Sequence, residues 1–402
     1  MGNGITRFIG LDIHKEYFVA VGVNAQREVV FGPQKVSVYQ LEDWARKHLT
    51  LEDAVVLEVS TNTYLFHDTL QAHAGSVIAV HPPAVGLVTN VPVKTDKKAA
   101  LALAQLHAVG LLTGIWIPPQ KVRDLRALVA QRDKMVRLST IAKNRLHALL
   151  QRKHLTLPEK PFADEQREWW QALPLSAIEL LRVRSDLDTL AFARQQLEQI
   201  EEYLKQESAQ DERIPLLIQL PGVAWLTAIT ILAAIGEISR FESAKKLVGY
   251  AGLGSRVHDS GKTHTNGRIT KTGRRDLRRA MVNAANHAVE YHPHWKKEFA
   301  RLQPHLGRSK AVVAIARKLL LAVWHVLTAC QADRFAEPRD VGRSLIAHAY
   351  KVGVKNLPRA QSAPSFVREQ LDRLNIGQEL KTVPWGSGHR NLPASKLLLE
   401  KE

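Results

Sequence analysis

Cysteine is almost missing from this 402-residue chain, where Cys330 stands alone. One thiol makes no internal disulfide and no cysteine-ligated zinc site, which fits a cytoplasmic protein held by packing. Cys330 sits in an apolar, helix-like run and reads as a packed residue. Acid is also short, with 39 Asp and Glu against 56 Lys and Arg, a formal net charge of +17. That surplus points to a polyanionic partner, nucleic acid ahead of an anionic membrane. No run of eighteen apolar residues suggests a membrane span. The opening stretch carries Asp12, Lys15 and Glu16 inside its apolar run and lacks the cleavage site of a signal peptide.

What is present suffices for sizeable cores, since 45% of residues are apolar. The length suggests two or three domains. Residues 7–32 read as an antiparallel meander, with RFIGLDIH, YFVAVGV and EVVFG as its strands. AVVLEV and SVIAVHP are short apolar strands with a helical segment between them, and KAALALAQLHAVGLL is strongly helical. An α/β domain over residues 1–115 is therefore expected, a mixed sheet with helices packed on it. Residues 116–210 read as a basic helical and coiled-coil region, 211–332 as a mostly α-helical domain, and 333–402 as an extension of short helices.

Three acids stand out in the first region. Asp12 lies between apolar neighbours in the first strand, Glu58 near the end of a later strand, and Asp96 at the start of the long helix. A carboxylate in an apolar strand is costly unless it is paired, protonated or bound to a metal. Gathered at strand ends and a helix start, such groups can hold magnesium for phosphodiester cleavage. An exposed strand end would equally account for Glu58, and a helix cap for Asp96.

The cations are clustered. Residues 118–154 hold ten Lys and Arg against two acids, and residues 261–320 hold fourteen against three. Apolar residues at helical spacing separate the first group, leaving one face to pack and one to meet phosphates. In IPLLIQLPGVAWLTAITILAAIG, Pro221, Gly222 and Val223 interrupt two apolar helices. That is the pattern of a helix-hairpin-helix whose glycine turn approaches a DNA phosphate, and equally of a tight turn between core helices. Then comes GYAGLGSRVHDSGKTHTNGRITKTGRRDLRRAM. Ser260 precedes Gly261 and Lys262, and Lys271, Arg274, Arg275, Arg278 and Arg279 follow. A serine before glycine suits an exposed turn, and cations nearby can hold a phosphate against its hydroxyl. An ordinary polar loop ahead of a basic helix would read the same way.

These segments together resemble the DEDD transposases, insertion-sequence recombinases with an N-terminal RuvC-like (RNase H-like) domain and a C-terminal serine domain. The resemblance rests on GLDIHK, LEVSTNTY and KTDKKAALALA, then on LPGVAWLTAITILAAIGEISRF and LVGYAGLGSRVHDSGK. It spans about residues 8–112 and 216–320. It implies that Asp12, Glu58 and Asp96 hold Mg2+ and that Ser260 is the nucleophile, forming a covalent phosphoserine bond with DNA. It further implies donor and target DNA, a structured noncoding bridge RNA as guide, and a homo-oligomer, a dimer or tetramer. One position departs from the family pattern KTDxxDA: Ala99 stands where the fourth acid belongs. A missing ligand is expected to weaken metal-dependent cleavage, leaving a DNA- and RNA-binding scaffold or a plain RuvC-like nuclease as alternatives.

Overall fold

The computed structural model describes residues 4–81, 95–260 and 263–399. They divide into two compact units, Met1–Pro119 and Gln120–Glu402.

The first unit is built on a five-stranded sheet. Its strands are β1 (Arg7–Ile13), β2 (Tyr17–Val23), β3 (Val29–Ser37), β4 (Asp53–Glu58) and β5 (Ser76–Val80). Their spatial order is β3-β2-β1-β4-β5. The expected meander is there, with β1–β2 and β2–β3 antiparallel, and β4 and β5 extend it in parallel. Helices α1 (Leu41–His48) and α2 (Thr63–Gln71) cover one face through Trp44, Phe66 and Leu70 against Ile9, Leu11, Val55 and Leu57. Helix α3 (Asp96–Ala108) covers the other, against Phe8, Val19, Val21 and Val56. This mixed sheet with helices on both faces bears out the α/β, RuvC-like expectation.

Strand alternation sorts the residues of β1. Ile9 and Leu11 face α1 and α2, whereas Phe8 faces α3. Gly10 and Asp12 share the face of Phe8. A Cβ on Gly10 would lie 2.0 Å from the carbonyl oxygen of Ala100 and 2.7 Å from the amide nitrogen of Ala104. Glycine here is what lets α3 lie directly on the strand. An ion pair closes the opposite end of the sheet, where Arg7 Nε donates to Asp53 Oδ1 at 2.6 Å.

The second unit is mostly helical. Helices α4 (Gln120–Arg152) and α5 (Ala177–Gln210) lie antiparallel, as the ion pairs along them show. Lys121 meets Glu207 at 3.4 Å, Arg132 Nε donates to Glu201 at 2.8 Å, Arg145 pairs with Asp186, and Lys153 meets Glu179 at 2.9 Å. The partner of each helix in this coiled-coil region is thus within the chain. At the far end Trp170, Leu146, Leu150 and Val183 form a core of their own, and Trp170 Nε1 donates to the carbonyl of Pro161 at 2.6 Å.

The main core gathers α6 (Ile214–Ile218), α7 (Trp225–Ile235) and α8 (Ala244–Tyr250). A β-hairpin follows, β6 (Ser255–Ser260) and β7 (Thr263–Ile269), where the sequence offered an exposed turn or a polar loop and gave no sign of paired strands. The core continues through α9 (Arg275–Tyr291), α10 (Pro293–Leu306) and α11 (Arg308–Ala329) to α12 (Pro338–Val352) and α13 (Ala363–Arg373). A short hairpin, β8 (Thr382–Trp385) with β9 (Gly388–Asn391), packs Val383 on α12. By length and composition alone α11 is apolar enough to cross a membrane, yet 56% of its most apolar window is buried within the unit. Cys330 is exposed, which corrects the expectation of a packed thiol. The helix stops at Ala329, and Cys330 caps it in a left-handed conformation beyond the buried face.

His348 on α12 is 4% exposed, and its Nδ1 makes no hydrogen bond. Burial holds its imidazole down from 6.5 to about 4. The unfolded chain therefore binds this proton near pH 6.5 and the folded chain only near 4, so stability falls as pH drops between them. The expected loss is ~3 kcal/mol by pH 4. His348→Leu should flatten that part of a melting-temperature profile; an unchanged slope would refute the assignment.

Candidate functional site

At one end of the first unit's sheet, three segments converge on the α3 face. β1 delivers Asp12 at its C-terminal end, β2 begins there with Tyr17, and α3 begins there with Asp96. Thr95 caps the helix, its hydroxyl accepting from the Lys98 amide at 3.4 Å. The cap role considered for Asp96 is thus taken by its neighbour, and the Asp96 carboxylate turns elsewhere. The Tyr17 hydroxyl donates to Asp96 Oδ2 at 2.9 Å. This bond is the main reason the Asp96 carboxyl lies below its ordinary range and the Tyr17 phenol above its own.

His14 joins the two acids. Its Nε2 lies 3.5 Å from Asp12 Oδ2 and 3.5 Å from Asp96 Oδ1. One ligand atom from each of Asp12, His14 and Asp96 falls within 4.8 Å of the others. Nε2 is shielded from solvent and makes no hydrogen bond. Two carboxylates and a sheltered imidazole nitrogen at this spacing fit a divalent cation. Glu58 ends β4, the parallel neighbour of β1, where Leu11 pairs with Leu57. That register puts Glu58 beside Asp12 on the same face, although it lies outside the close group of three. Ala99 is half-buried in the first turns of α3, three residues after Asp96 and so on the same side of the helix.

In the second unit, Ser260 is the last residue of β6 and pairs with Thr263 of β7. Gly261 and Lys262, between them in sequence, lie outside the described residues. The base of this hairpin is pinned. Thr270 N donates to Gly254 O at 2.9 Å, Lys271 N to Gly252 O at 3.2 Å, and Arg274 N to Tyr250 O at 2.9 Å. Gly252 and Gly273 both have positive φ, and a Cβ on either would lie 2.3 Å from a backbone oxygen of the opposing segment. The small residues of GYAGLGS and KTG thus allow two backbones to touch.

A model of DEDD transposases of the IS110 type matches residues 9–155, and the "Transposase IS116/IS110/IS902 family" model matches residues 214–300. Together they span more than half of the chain. Among curated relatives, the "Transposase for insertion sequence element IS1111A" of Coxiella burnetii is 24% identical over 338 residues, 80% of this chain and 90% of that one. The "Pilin gene-inverting protein" of Moraxella bovis is 28% identical over 335 residues, covering 80% and 95%. The chain belongs to the IS110 family of DEDD transposases.

Much of the cationic surface of this transposase has internal work. Arg126 donates to the carbonyls of Ala233 and Ala234 at 2.7 and 2.8 Å, closing the C-terminal end of α7. Arg278 donates to Ala251 O at 2.8 Å, Arg274 grips Asp276, and Arg279 pairs with Asp133. Lys134, Arg137 and Arg275 line a groove of about 470 Å3 between α4 and the start of α9. Sequence reading could not separate the two groups, because carbonyl caps and phosphate contacts use the same side chain. The turn of Pro221, Gly222 and Val223 borders a larger cleft of about 720 Å3, with Tyr291, Tyr350 and Trp385 in its walls. Gly222 has φ +76, and a Cβ there would lie 2.3 Å from Ala284 O on α9. His14 was the residue missed. It stands just past the end of β1, and nothing in GLDIHK sets it apart until the fold brings Asp96 to it.

Proposed function

We propose that this transposase cuts and rejoins DNA strands through Ser260, with a metal-binding acidic site in its RuvC-like unit, to move a mobile element. The observation that carries the reading is the convergence of Asp12 and Asp96 at the end of the sheet, on the face that also bears Glu58. These carboxylates would hold Mg2+, which when bound would stabilise charge building on the phosphate. Ser260 Oγ would attack phosphorus, forming a Ser–O–P bond while the bond to the leaving strand's oxygen breaks and that oxygen takes up a proton. Lys271 and Arg275, with Gly261 and Lys262 and the turn at Pro221, Gly222 and Val223, would position the DNA backbone, while Arg274 and Arg278 would brace that segment from within through Asp276 and the Ala251 carbonyl. A structured guide RNA would select sequence by base pairing, in keeping with a surface rich in phosphate-binding charge. The +17 charge and the exposed Ile178, Leu181 and Phe192 of α5 support nucleic-acid partners and a homo-oligomer. The working place would be the bacterial cytoplasm.

The test is a denaturing-gel assay for covalent protein–DNA adduct, with the element's RNA, donor DNA and Mg2+. The expected result is little or no adduct from this chain, adduct from Ala99→Asp, and none once Ser260→Ala is added. Binding without adduct in every form would favour a scaffold, and hydrolysed ends without adduct a simple nuclease.

A further inference from the structure

The spacing around His14 sets it apart from an ordinary ion pair. In the same unit His73 Nε2 meets Glu42 Oε1 at 2.9 Å, the distance of a hydrogen bond. His14 Nε2 instead stands 3.5 Å from each of two carboxylate oxygens and bonds to neither. Two ligands that each lie about 2.1 Å from a shared ion are themselves about 3.0–3.5 Å apart at octahedral or tetrahedral angles. The separations at His14 therefore match those of ligands around an ion better than those of a hydrogen-bonded pair.

The surroundings hold the ring in this pose. The His14 amide donates to the Tyr17 carbonyl at 2.9 Å, and the two rings lie 4.7 Å apart between centroids. Tyr17 is itself under the Lys35 ammonium, 3.6 Å from its ring centre. Its hydroxyl takes Asp96 Oδ2, which leaves Oδ1 toward His14. A partner that fixes one carboxylate oxygen and so aims the other is a recurrent feature of metal sites. On α3, Asp96 is the only acid, since Ala99 offers no ligand atom.

We infer that His14 Nε2 is a direct metal ligand with Asp12 and Asp96, and that it shifts the site from Mg2+ toward first-row transition ions such as Mn2+. The inference rests on the proposal that these two acids hold a divalent cation. Mg2+ takes oxygen ligands almost exclusively, whereas imidazole nitrogen suits the transition ions.

Mn2+ is the probe, added to the tag-free full-length protein. Pulsed electron paramagnetic resonance should show a nitrogen coupled directly to bound Mn2+, and His14→Ala should remove that coupling. Mn2+ affinity should fall about 10- to 100-fold in the same variant. His14→Asp should keep Mn2+ binding without the nitrogen signal and be displaced by less Mg2+ than the parent, which guards against a variant that merely misfolds. If Mn2+ binds with no nitrogen coupling, is lost in Asp12→Asn and is unaffected in His14→Ala, the inference fails while the carboxylate site stands. If Mn2+ binding survives Asp12→Asn and Asp96→Asn alike, the acidic site and the role of His14 fall together.

Discussion

Gly10→Val should cost the first unit about 3 kcal/mol or more, the upper range for overpacking a close contact. Its melting temperature should drop by about 10 °C. The side chain has nowhere to go, because a Cβ at position 10 would lie 2.0 Å from the Ala100 carbonyl oxygen, and backbone cannot swing aside as a side-chain tip can. Helix α3 would have to lift from β1. Asp96 opens that helix, so it would leave Asp12 and His14, and cation affinity should fall with stability. Gly10→Ala should show a smaller form of both effects. Unchanged melting in both variants would mean that α3 does not approach the strand this closely.

Gly222→Ala should cost about 2–4 kcal/mol, combining a left-handed backbone with an obstructed Cβ. The obstruction is the Ala284 carbonyl oxygen at 2.3 Å, on α9. Denaturant unfolding without nucleic acid reads this loss directly. If glycine served only to admit a phosphate, DNA affinity would fall and the unfolding midpoint would stay. A shift in the midpoint assigns the residue to the packing of the turn against α9, whatever else the turn contacts.

The sequence declared its strands and long helices because they are strongly patterned. RFIGLDI and YFVAVGV are nearly continuous apolar runs, and α4 carries buried Val129, Met135, Ala142, Leu146 and Leu149 at helical spacing. The β6–β7 hairpin was hidden for the opposite reason. SRVHDS and THTNGRI are mainly polar and show no apolar alternation, while the base of the hairpin is set by close-packed glycines far apart in sequence. At the acidic site, Asp12 and Asp96 were legible as charge placed against an apolar pattern. His14 was not, since a histidine beside a lysine at a strand end reads as surface until the fold brings Asp96 to it. The burden on the arginines was illegible too, because Arg126 reaches carbonyls more than a hundred residues away in sequence.

The α4–α5 pair also fixes a distance. At 1.5 Å per residue the 33-residue α4 runs about 50 Å, the length of roughly fifteen base pairs. Its base is rooted in the main core through Val129 and Met135, and its tip is closed by the separate cluster around Trp170. Being packed at both ends, it behaves as a strut. A strand of nucleic acid or a second copy that meets the tip is kept at a set reach from the rest of the second unit. Removing one heptad from each helix would shorten that reach by about 10 Å and leave both cores in place.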